Sequence, residues 1–426
     1  MNSIHGRLQG KPTPSRQQEK STAMPGASAR KLAAGLVAAA AAFGAGAFER
    51  PADGVYNERI DWGLIMDISG PTAAAQLPWV TGFQDYMRKV NEAGGIHGRK
   101  INVLAEDDRY DASLHRISYE RLVSQTPALG ISGMGNSSAQ TALMPSIRRG
   151  KVPIVGTYTS TKAGTEPASP MFYAGFCGYK EMAQVGVGFF SDAFKIKAPK
   201  VAVVHLDVAS GKEYFDFINA AAADHGGSAR SLPIKVTSID ATPQVLEIIA
   251  MKPDFVAVHG SPNVAILLMR AMHQYGLKIP TFAVTYQGTP VVHSAIGPEA
   301  GSKYYFMSCF TPGGIDESGG VREMATTADK YGHSALKDDV NFVGGWVVGQ
   351  LVAEAIAKAG PEPTREKLVD LLNKGIEVDT NGVSSKLKYT PDNHYGLTVL
   401  RPYSYDYQAK RLKAYGKYSD YEKYLK

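Results

Sequence analysis

The chain is short of cysteine, of net charge once its first residues are set aside, and of the usual signatures of catalysis. Cysteine occurs only at positions 177 and 309 of 426 residues, too few for a disulfide-built scaffold or a cysteine-rich metal domain. The ten histidines are scattered, and no H-E-x-x-H helix, G-x-S-x-G elbow or Walker loop occurs. Zinc hydrolysis, α/β-hydrolase chemistry and nucleotide hydrolysis therefore lack their residues. Gly133-Met-Gly135 begins like a dinucleotide fingerprint, but Ser138 stands where the third glycine belongs. The formal charge of +6 is mostly that of residues 1–47, which hold six Lys and Arg against one acid. About +1 remains for the rest, and no nucleic-acid partner is expected. Beyond residue 47 nothing approaches the length of a membrane span.

The first 47 residues read as an export signal. Arg30 and Lys31 precede a short alanine-rich apolar run ending at Phe43, and Gly44-Ala-Gly-Ala47 supplies an A-x-A cleavage site. Met24 would give a signal of more ordinary length. The remaining chain is expected outside the cytoplasm, in the periplasm or its equivalent, as a monomer. It is long enough for two lobes. In an exported chain Cys177 and Cys309 form a disulfide or stay as two buried thiols; sequence does not say whether their Cβ atoms meet.

What is present is an alternation of strands and helices. Apolar runs at 60–66, 100–104, 129–132 and 152–155 form one series, and runs at 200–205, 254–259 and 281–284 form a second. Helical periodicity lies between them, as in Phe83, Tyr86, Met87 and Val90. Repeated strand–helix–strand units predict an α/β fold of two doubly wound parallel sheets. A long apolar helix is predicted over 341–359, late strands over 386–389 and 397–405, and a surface extension from Leu412 onward.

In such sheets ligands sit outside the carboxyl ends of the strands. Two stretches fall there: Ala105-Glu-Asp-Asp-Arg-Tyr-Asp111 and Gly135-Asn-Ser-Ser-Ala-Gln140. The second offers hydroxyls and free N–H groups at a helix start, which suits a small anion; one of Asn136, Ser137 and Ser138 must cap that helix. The cluster Asp107, Asp108 and Asp111 lacks the alternating ligands and closing Glu of a calcium loop and reads as a capped helix start. No metal or cofactor is expected. His205 and His259, each at a strand end, are the candidate bases for a Rossmann-like enzyme, the alternative from another class; each also reads as a hydrogen-bonded strand-end histidine.

Ser69-Gly-Pro, Glu92-Ala-Gly-Gly-Ile-His-Gly, Asp107-Asp-Arg-Tyr-Asp, Gly135-Asn-Ser-Ser and Phe255-Val-Ala-Val-His-Gly occur in that order. This order resembles the substrate-binding proteins of ABC importers of the branched-chain amino-acid type. The resemblance implies a type I periplasmic-binding fold of two lobes joined by three crossovers, near 177–180, 309–311 and 383–389. Lobe one would comprise 56–177 plus 312–384, and lobe two 178–309 plus 385–426. It implies no enzyme activity, a small-molecule ligand and an ABC permease as partner. A ligand-sensing module signalling to a membrane receptor would share the fold.

Carried over residue by residue, the family's carboxylate-binding serine falls at Ser138, with Ser137 beside it. Its next contacts fall at Tyr158 and Ser160. On lobe two, Ser210 and Ser261 stand where the family often has aromatic residues. The carboxylate that pairs with a ligand's α-ammonium belongs within Thr285-Tyr286-Gln287, and no acid stands there. An unpaired buried ammonium is costly, so the expected ligand carries a carboxylate and an aromatic or apolar body but no ammonium. Tyr158, Tyr286 and Trp79 could wall it, unless Trp79 packs inside the first helix's own core.

Overall fold

The computed structural model describes residues 48–316 and 318–426. The expected signal segment, its cleavage after Ala47 and the start at Met24 lie outside the described residues. The first sheet is fully parallel: β1 (Arg59–Met66), β2 (Lys100–Asp107), β3 (Ile131–Gly133), β4 (Ile154–Thr157) and β5 (Phe172–Ala174), in the order β2-β1-β3-β4-β5. The second holds the parallel strands β6 (Lys200–Leu206), β7 (Ser228–Ile234), β8 (Phe255–His259), β9 (Thr281–Ala283) and β10 (Tyr304–Ser308). A small antiparallel sheet follows from β11 (Ile376–Val378), β12 (Leu387–Thr390) and β13 (Asn393–Gly396). Two antiparallel strands, β14 (Arg401–Asp406) and β15 (Arg411–Ala414), then extend the second sheet, whose order is β15-β14-β10-β9-β8-β6-β7. Both large sheets are doubly wound, as the alternation predicts. Strands such as β8 are buried throughout because helices cover both faces.

Three segments carry the chain between the lobes, and the third differs from expectation. The predicted third crossover at 383–389 does run beside the second one: Thr311 N donates to Val383 O and Ser385 N to Cys309 O, at 2.8 and 2.7 Å. It then turns back, because β12 and β13 pack on the first lobe. His394 bonds the carbonyls of Ser169 and Phe172 and stacks 4.3 Å from Tyr173 of β5. The second sheet is re-entered only at Arg401, opposite Ser308. Cys177 and Cys309 are joined in a disulfide across the first two crossovers, with Cα atoms 5.7 Å apart.

The predicted C-terminal surface extension is instead docked. β15 completes the sheet, and Tyr421 is buried with its ring 5.9 Å from Phe189. Helix Val340–Lys358 corrects another expectation. It is long and apolar enough by composition to cross a membrane, yet 89% of that apolar window is buried inside the protein. It packs on helix Ala73–Glu92 at a distance only glycine allows: a Cβ on Gly345 would overlap the Trp79 carbonyl, and one on Gly82 the Phe342 carbonyl. Each helix buries an apolar face too close for any other side chain at the crossing.

Candidate functional site

The cleft is built from the carboxyl ends of both sheets. After β1, the Asp67 carboxylate accepts from Gly70 N, Thr72 N and the Thr72 hydroxyl at 2.5, 2.7 and 2.6 Å. Gln76 accepts from Asp67 N and donates to the Thr72 hydroxyl, which closes the knot. After β2, Arg109 and Tyr110 both have positive φ (49° and 57°), held by Asp107 and Asp108 accepting their N–H groups. Asp111 caps the next helix through Ser113 N and Leu114 N. Asp108 also contacts His115 at 2.5 Å, both side chains fully buried. After β3, Asn136 takes the cap, accepting from Ala139 N, and donates to Tyr110 O at 2.9 Å. The two loops singled out from sequence are thus tied directly to each other.

Between the lobes lies a cavity of about 30 Å³ lined by Thr72, Ala75, Gln76, Tyr110, Gly135, Tyr158, Thr159, Leu206, Ser210, His259, Gly260, Ser261 and Tyr286. That volume admits a water or two, because the lobes touch around it. Ser210 donates to the Ser137 hydroxyl from both N and Oγ (3.2 and 3.0 Å), and Ala209 N donates to Ser138 Oγ at 3.3 Å. Lys162 N donates to Glu213. Tyr158 and Tyr286 stack across the gap, centroids 5.5 Å apart. Asn341 accepts from the Tyr158 hydroxyl and donates to Tyr286 O.

Of the predicted site residues, Tyr158, Ser210, Ser261 and Tyr286 line the cavity. Ser137 and Ser138 do not; they bond across to the second lobe. Ser160 is buried beside Thr157, and Gln287 sits behind the wall, donating to Ser261 O at 3.2 Å. Trp79 packs inside the first lobe, stacked 5.8 Å from Phe83, with only its edge contact to Tyr158 facing the site. Thr72, Gln76 and Thr159 were not anticipated, although each lies at a strand end or in the next turn, where the same rule points; Tyr110 falls within the singled-out stretch 105–111 but was not named as a contact. His205 is a bonded strand-end histidine, contacting Leu206 O and Ser231 Oγ. His259 is not: among the described residues, neither ring nitrogen has a partner.

The electrostatics are those of a cavity without a counter-charge. Among the described residues, no lysine, arginine, aspartate or glutamate lines it. Burial pushes the His259 imidazole down to about 3, so the ring is neutral. Burial likewise raises the hydroxyls of Tyr158, Tyr179 and Tyr286, which stay protonated. Four helices begin here, at Ala73, Ser137, Ala209 and Pro262, and their N-termini make the site weakly positive. Among the described residues no group of three or more His, Cys, Asp or Glu could hold a metal.

Two doubly wound lobes, three connecting segments and a cleft at the strand ends define a type I periplasmic-binding fold. A family profile described as periplasmic binding protein matches residues 60–408, and the chain belongs to that family. Membership implies solute binding outside the cytoplasm. Among solved structures, it resembles a branched-chain amino-acid ABC transporter protein from Thermus thermophilus with bound valine. That match has TM-score 0.76 and 18% identity, covering 84% of this chain and 96% of that one. A fatty acid ABC transporter substrate-binding protein from Thermomonospora curvata gives 0.74, 22%, 85% and 92%. A leucine-binding protein from Thermotoga maritima gives 0.71, 18%, 84% and 98%. Among curated proteins, none matches the chain.

Proposed function

We propose that this is an exported solute-binding protein that captures a small carboxylate-bearing ligand with an aromatic or apolar body and no α-ammonium, and hands it to an ABC permease. One observation carries the ligand class: the cavity wall contains no carboxylate. An ammonium closed into it would lose its hydration without gaining an opposite charge, while the converging helix N-termini favour an anion. Tyr158 and Tyr286 supply flat apolar walls. The resembling structures include one with bound valine and one described as a fatty acid ABC transporter substrate-binding protein, so the fold accommodates both classes. The mechanism is binding without chemistry. The lobes close on the solute, the Ser137–Ser210 bonds latch them, and a ligand that prefers the closed form shifts that population by its differential affinity.

A thermal-shift panel of aromatic acids, aliphatic acids, keto acids and amino acids tests this. A binder at a hundred times its dissociation constant adds about 2.7 kcal/mol, and the raised midpoints are expected among the ammonium-free acids. A shift confined to leucine-like amino acids would refute the ligand class.

A further inference from the structure

Most polar groups on the cavity wall already have protein partners. Thr72 and Gln76 belong to the Asp67 knot, Thr159 donates to Met134 O, Tyr158 to Asn341, and the Tyr286 hydroxyl meets that of Tyr179. One corner of the second lobe differs. His259, 1% exposed, has no partner on either ring nitrogen, and neither has the hydroxyl of Ser261, 4% exposed. Immediately behind them the Gln287 amide oxygen is buried and unpartnered too. Orphaned buried groups are few in a folded chain, and each calls for a cause. Here four such atoms share one corner, and two of the three side chains line the ligand cavity.

Their chemistry identifies the missing partner. A neutral imidazole offers one N–H and one acceptor nitrogen, a serine hydroxyl donates and accepts, and an amide oxygen only accepts. Acceptors therefore outnumber donors. A carboxylate brings acceptors alone. An ammonium brings donors but also a charge that nothing on the wall offsets and that the four helix N-termini oppose. A hydroxyl donates and accepts without charge. We propose that His259, with Ser261, reads a hydroxyl group on the bound solute, making the preferred ligand a hydroxylated acid. This deepens the reading of the cleft given above and rests on it.

Calorimetry with 4-hydroxybenzoate, benzoate and leucine as probes tests the assignment on the wild-type protein and on His259→Phe, which keeps a flat ring and removes both nitrogens. The wild type is expected to bind 4-hydroxybenzoate at least about tenfold more tightly than benzoate, since a site built to bond a hydroxyl rejects the analogue lacking it. His259→Phe should abolish that preference, the two acids then binding within about threefold of each other. His259→Gln, whose amide restores a donor and an acceptor, should retain part of it and serves if the Phe variant folds poorly. Equal binding of the two acids by the wild type, or a preference that survives in His259→Phe, overturns the role of His259 and leaves the acid-binding reading standing. Binding of leucine alone, or of none of the three, overturns both.

Discussion

The two walls of the cleft are built on opposite principles. On the first lobe the polar side chains bond mainly to one another and to backbone: the Asp67–Thr72–Gln76 knot, Asp108 with Tyr110 N and His115, and Asn136 joining two loops. On the second lobe His259, Ser261 and Gln287 hold buried polar atoms with no partner at all. The first wall is a frame held in shape by its own hydrogen bonds. The second keeps hydrogen-bonding capacity in reserve, at a cost in stability of the free protein. Binding is where that cost is recovered.

This contrast can be broken by mutation. Asp67→Ala strips three donors of their acceptor, two of them on fully or nearly fully buried Thr72, and should lower the unfolding free energy by about 3 kcal/mol in urea titration. Ser261→Ala removes a buried hydroxyl that bonds nothing and should leave stability unchanged or raise it by about 1 kcal/mol, since no partner is stranded and the cost of the unsatisfied group is relieved. Comparable losses from the two would erase the distinction.

The pH dependence sharpens it further. Burial raises the Asp339 carboxyl, beside Asn341 at the cleft, to about 6. An unfolded aspartate titrates near about 3.9, so between those values the unfolded chain has released a proton the folded one keeps, and stability falls as pH rises. His259 runs the other way. It is held at about 3 against about 6.5 unfolded, so the unfolded chain gains a proton first as pH falls, and stability is lost on acidification. Relative to wild type, Asp339→Asn should flatten the loss on going from pH 4 to 6, and His259→Phe the loss on going from pH 6.5 downward. Denaturant midpoints across that range measure both, and slopes of one sign for the two groups would contradict the assignment.

The smallest effect concerns the latch. Ser137 is buried and accepts two bonds from Ser210, whereas Ser138 is exposed and accepts one at 3.3 Å. Ser137→Ala should weaken ligand affinity by about 1 kcal/mol and Ser138→Ala by less than half of that. The reverse order in calorimetry would restore Ser138 to the role that family resemblance gives it.

Much of this architecture was legible in the chain. Continuous apolar runs such as 200–205 and 254–259 had one reading, as parallel strands covered on both faces, and the strand-end rule pointed to both first-lobe loops. What stayed hidden depended on tertiary neighbours. Trp79 kept two readings, ligand wall or core, because sequence does not show how closely Gly345 brings its helix. The return at 383–389 failed because those residues touch the hinge and then leave it. His259 looked the same as His205; only the folded wall shows that one has partners and the other none.

The most direct test of the central claim uses an isosteric pair, leucine and 4-methylpentanoate, which differ in the α-ammonium. Titration calorimetry on residues 48–426 should show the acid binding at least about tenfold more tightly, because nothing on the cavity wall offsets a buried cation. Tighter binding of leucine would mean that a carboxylate reaches the ligand in the liganded state, and the account of the cleft would be wrong.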